Sequence, residues 1–99
     1  MTHPTKETIA IVNRYIAALH QEAHASTQLA DALQQLNDAF VIMTSSATVD
    51  AHTYTHAKLV LADVVTLVVA ANHVVNNAHD ELRRATVEFA TAMDNHQSN

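Results

Sequence analysis

The stretch AKLVLADVVTLVVAANHVVNNAHDELRRATVEFATA, residues 57–92, decides the fold. Alternate steps of four and three residues from Ala57 land on Leu61, Val64, Val68, Ala71, Val75, Ala78, Leu82, Ala85, Phe89 and Ala92. All are apolar, and a 3.5-residue period held over about five heptads marks a helix whose seam packs lengthwise against another helix. Read locally, Val64–Val69 resembles a buried strand, but a strand would not keep heptad phase with Leu82 and Phe89 beyond it.

Off the seam, Val60, Leu67 and Val74 widen the apolar face on one side, and Val65 and Val69 on the other. A narrow polar stripe remains through Asp63, Thr66, His73, Asn77, Asp80 and Arg84. A helix apolar over so much of its circumference requires cover on more than one side. Its valines cost roughly half a kcal/mol each relative to alanine, which tertiary packing has to offset. The expected interface is therefore Leu61, Val64, Leu67, Val68, Ala71, Val74, Val75, Leu82 and Phe89. Leu59–Val75 falls short of the ~20 apolar residues of a spanning helix, and Asp63, Asn72 and His73 interrupt it, so no membrane span is expected.

Upstream, Thr2-His3-Pro4 suits a helix entry, with Glu7 near the positive end of the helix dipole. Ile9, Val12, Ile16, Leu19 and Ala23 form a second heptad seam. Its phase shifts by three residues at Ser26-Thr27 and resumes as Leu29, Leu33, Leu36, Phe40 and Met43. One bent helix over about residues 4–43, some 60 Å long at ~1.5 Å per residue, accounts for this better than two short ones. Thr44–Asp50 is polar and rich in hydroxyls, and Asp50 or Thr48 can cap a second helix over about residues 50–95. Asp80, Arg84 and Glu88 are spaced to pair along its outer face. Residues 1–3 and the tail Asp94-Asn-His-Gln-Ser-Asn, above all 96–99, are expected to fray. The expected fold is all-α: a single domain over residues 1–99, built as an antiparallel two-helix hairpin that pairs into a four-helix bundle.

Composition supports long helices and few loops, since the 99 residues include no glycine and one proline. Net charge is −5 with five basic residues, and Arg83-Arg84 is the one basic cluster, which makes nucleic acid and anionic membranes poor partners. Without cysteine there are no disulfides and no thiolate chemistry. Met1–Glu7 lacks a charged-then-apolar leader, so the chain is expected in the cytoplasm, or exported without a cleaved signal.

Eight histidines include the pairs His20/His24 and His52/His56, each one helical turn apart. The best metal trio is His20, His24 and His73, yet the paired histidines fall on the flanks of the seams and read as solvated surface groups. No metal and no cofactor are expected. His20-Gln21-Glu22-Ala23-His24 puts its glutamate one place too late for a zinc-protease helix, and no glutamate has a histidine three residues on for a di-iron bundle. Ser45 and Ser46 have no base in evident range, so no enzyme is expected.

Two equal helices about a polar turn, in about a hundred residues, resemble the small helical hairpins of the WXG100 type and the related partner proteins of type VII secretion. The resemblance is architectural: Thr44–Asp50 carries no Trp-x-Gly, and Tyr15 and Tyr54 are followed four residues on by Leu19 and Lys58 where that family's export signal has an acid. It implies a hairpin that pairs, as companion to a larger protein. Bacteriocin-immunity proteins are a second class of small cytosolic helical bundles of this size. The expected function is a non-catalytic interaction module that homodimerises or packs on a partner helix, as a secretion-associated partner or chaperone. The alternative is a metal- or small-ligand-binding bundle that uses the histidine pairs.

Overall fold

A computed structural model describes residues 5–98, with side chains described from 5 to 95. It is an all-α hairpin of two helices in contact, α1 (Lys6–Ser46) and α2 (Ala51–Ser98). Thr5 caps α1: the Thr8 amide donates to Thr5 Oγ1 at 3.1 Å, and the Ile9 amide donates to the Thr5 carbonyl at 3.0 Å. The helix entry expected at Thr2–Pro4 lies outside the described residues. α1 runs through Ser26-Thr27 as one helix. α2 continues past the expected end near Asn95 to Ser98. Residues 1–3 and Asn99, expected to fray, lie outside the described residues.

The turn is made without glycine, and among the described residues none has a positive φ. The last carbonyls of a helix have no amide partner inside it and are commonly satisfied through a left-handed glycine. Hydroxyls do part of that work here: Ser46 Oγ donates to the Met43 carbonyl at 3.1 Å and Thr48 Oγ1 to the Ser45 carbonyl at 3.3 Å. Thr44 Oγ1 and Ser46 Oγ also bond back to Phe40, Val41 and Ile42 carbonyls that the helix already pairs. The Val49 amide donates to the Ser46 carbonyl at 3.0 Å and closes the turn.

Asp50 then caps α2, its Oδ1 accepting from the Thr53 amide at 2.6 Å and its Oδ2 from the Thr53 hydroxyl at 2.9 Å. The Thr53 amide, followed by the Thr53 hydroxyl, holds the Asp50 carboxyl below the usual carboxylate range. A depressed folded-state pKa means that this stabilisation is present above the unfolded value and is lost as pH falls through the folded one. Asparagine caps as well but does not titrate. Asp50→Asn is therefore expected to melt near the wild type at pH 7 and to lose less of its melting temperature between pH 7 and pH 3. Equal losses in thermal melts would show that the cap is not formed.

On α2 the covered positions are the seam: Ala57 and Ala78 are buried, and Leu61, Val64, Val68, Ala71, Val75, Leu82, Ala85, Phe89 and Ala92 are half-buried. On α1 the expected seam is corrected in part: its Val12, Leu29, Leu36 and Met43 are half-buried, and the rest are not. Ala18, Ala25, Ala32 and Ala39, seven residues apart, are buried, interleaved with half-buried Tyr15, Glu22, Leu29, Leu36 and Met43. Ile9, Ile16, Leu19, Leu33 and Phe40 are exposed. The inner row keeps phase through Ser26-Thr27, without the expected three-residue shift. Interaxial distance follows the side chains at the contact, so an alanine row brings a helix close and leaves larger neighbours outside. Among the described residues no large side chain is fully buried.

Tertiary contacts group the chain into two units, Met1–His24 with Asn76–Asn99, and Ala25–Val75. The first is rich in ion pairs. The Arg14 guanidinium bridges to Glu88, with its Nε 3.1 Å from Oε1, and Tyr15 stacks on Phe89 with ring centroids 4.7 Å apart. The expected Asp80/Arg84/Glu88 ladder is corrected: Arg83 pairs with Asp80 at 3.2 Å, Arg84 with Glu81 at 2.9 Å, and Glu88 with Arg14. The second unit holds five charged residues, Asp31, Asp38, Asp50, Lys58 and Asp63.

α2 also overturns the expectation of no membrane span. Ala51–Asn95 is long and apolar enough to cross a bilayer, with an 18-residue window of mean hydropathy 1.8, none of it buried. Within such a window each Leu or Val contributes about −0.3 to −0.6 kcal/mol to insertion, and the ten of Leu59–Val75 count against the cost of Asp63, Asn72 and His73.

Candidate interaction surface

The surface that stands out is apolar. Val41, Ile42, Val49, Leu59, Val60, Val65, Leu67, Val69, Val74 and Val87 are exposed, in addition to the five large residues of α1 named above. Of the interface expected from sequence, Leu61, Val64, Val68, Ala71, Val75, Leu82 and Phe89 are half-buried on the α2 seam, whereas Leu67 and Val74 are exposed. Sequence reasoning missed the outward rows of α1, because it read their large side chains as the inward ones.

The inner row of α1 also carries a carboxylate. Glu22 sits between Ala18 and Ala25, its Oε1 3.6 Å from His79 Nδ1 and its buried Oε2 without a hydrogen-bond partner. A buried acceptor left unpaired costs about 1–3 kcal/mol, and leucine already fills equivalent places at Leu29 and Leu36. Glu22→Leu is expected to raise stability by about 1 kcal/mol, or about 4–8 °C in melting temperature. A lower melting temperature would show that the His79 contact outweighs the unpaired oxygen.

His20 and His24 are exposed in the first unit, as are His52, His56 and His73 in the second. Among the described residues no group of three or more His, Cys, Asp or Glu side chains is placed to hold a metal ion. The concavities are open surface grooves. One in the first unit, of about 550 Å³, is lined by Thr5, Glu7, Thr8, Ile11, Glu88, Thr91, Ala92 and Asn95. One in the second, of about 350 Å³, is lined by Gln28, Asp31, Gln35, Leu67, Ala70, Ala71 and Val74. No family of known sequences, no curated protein and no solved structure matches the chain.

Proposed function

We propose that the chain is a non-catalytic helical interaction module, an antiparallel hairpin that completes its core by packing on further helices in a four-helix bundle. The observation that carries this is the exposed set of large apolar side chains, most of them in Ala25–Val75, which a soluble single chain rarely leaves wet. The antiparallel sense is supported within the first unit, where Arg14 and Tyr15 meet Glu88 and Phe89, and Glu22, one heptad further along α1, meets His79, about nine residues earlier in α2. A companion or chaperone role toward a helical protein, in the cytoplasm or on an export route without a cleaved signal, fits such a module.

Circular dichroism with sedimentation velocity tests the reading. A strongly helical species heavier than one chain is expected. A monomer that unfolds in one sharp transition would sink it.

A second reading has its own observation, the uncovered apolar window of α2. In that case lipid covers the helix, and the chain floats with neutral phosphatidylcholine vesicles in a density gradient. A chain that stays at the bottom of the gradient removes this reading.

A further inference from the structure

We infer that the partner is a second copy of this chain, seated on one flank of the Ala25–Val75 unit; this rests on the interaction-module reading above. Let the heptad be lettered so that Ala32, Ala39, Ala57, Val64 and Ala71 take position d. Leu33, Phe40 and Val65 then take position e, and Ala30, Ala62 and Val69 take position b. Positions e and b are neighbours around a helix, and in an antiparallel pair the e positions of both helices lie on the same side of the seam. All six residues are exposed, Phe40 at 52% and Val69 at 51%.

Charge selects the occupant. Asp31, Asp38 and Asp63 all take position c, which lies on the other flank next to position g, where Ile42, Val60, Leu67 and Val74 stand. A two-fold contact sets the same patch against itself, so it has to be free of repelling like charges. The e/b flank meets this condition: Lys58, near the turn, is its one charge, and opposed copies place their two Lys58 at opposite ends. The c/g flank, with three carboxylates, does not.

The test is sedimentation velocity on the full chain over a concentration series at pH 7.5, with circular dichroism on every variant. The wild type is expected to be a dimer. The double variant Leu33→Glu with Val69→Glu is expected to weaken it roughly a hundredfold with helix content unchanged, because both side chains are exposed in the single chain. Leu33→Lys with Val69→Lys is expected to do the same alone, and an equimolar mixture of the acidic and basic variants to restore the dimer. A dimer that survives these changes but dissociates in Leu67→Glu with Val74→Glu would overturn the assignment and leave the interaction-module reading standing. A wild-type monomer in solution would overturn it, as would a monomer floating on phosphatidylcholine vesicles, in which case lipid is the occupant. The module reading falls only if that monomer also shows the single sharp unfolding transition described above.

Discussion

Replacing Val68 by aspartate is expected to cost about 2–3 kcal/mol, below the ~3–5 kcal/mol of an uncompensated fully buried charge because the side chain is half covered, out of about 5–15 kcal/mol for a small domain. Val68 is half-buried at the middle of the α2 seam, and the one cation of its unit, Lys58, is ten positions away in sequence. Thr66→Asp is the matched control. Thr66 is exposed, its hydroxyl donates to the Ala62 carbonyl at 3.2 Å, and threonine and valine have similar helix propensities, so aspartate there is expected to cost well under 1 kcal/mol. Melting temperature and assembly state are the readouts. If the two variants behave alike, the row from Ala57 to Ala92 is not the covered face.

The second large effect is expected on α1. Ala25 is 2% exposed, and leucine there adds methylene groups where the helix has none to spare, at a cost of about 1–3 kcal/mol. Exposed Ala17→Leu, outside the proposed contact, is the control and is expected to be within about 0.5 kcal/mol of the wild type. Thermal melts separate the two alanine positions. Were Ala25→Leu to melt with the wild type and Ala17→Leu far below it, the covered face of α1 would not run through the alanine row.

These two sites also mark what sequence could and could not reveal. The α2 seam was legible because its large residues, Leu61, Val68, Val75, Leu82 and Phe89, fall on the covered row themselves. On α1 two rows share the seven-residue period. Ala18, Ala25, Ala32 and Ala39 form one, and Leu19, Leu33 and Phe40, each one residue later, belong to the other. Following size mixed covered Leu29, Leu36 and Met43 with outward Leu19, Leu33 and Phe40, and the apparent shift at Ser26-Thr27 came from crossing between rows. The turn was legible through its hydroxyls, and Asp50 was one of two caps considered. Thr5 was missed, because Pro4 and Glu7 drew attention to either side of it. The interaction surface was half legible: an apolar excess shows in composition, but which part stays uncovered depends on which row the neighbouring helix occupies.

The two units differ in how far along the chain their contacts reach, and this bears on the order in which they form. In Ala25–Val75 the contacts straddle a short turn, so early contacts enclose little chain. Arg14 and Glu88 are 74 residues apart in sequence. Closing a loop carries an entropy cost that grows with its length, by about 0.6 kcal/mol per doubling. A chain that folds outward from Asp50 reaches the Arg14–Glu88 bridge through a series of small closures in place of one large one. Amide exchange would then run in reverse, with the amides beside Arg14 and Glu88 opening before those beside Met43 and Tyr54.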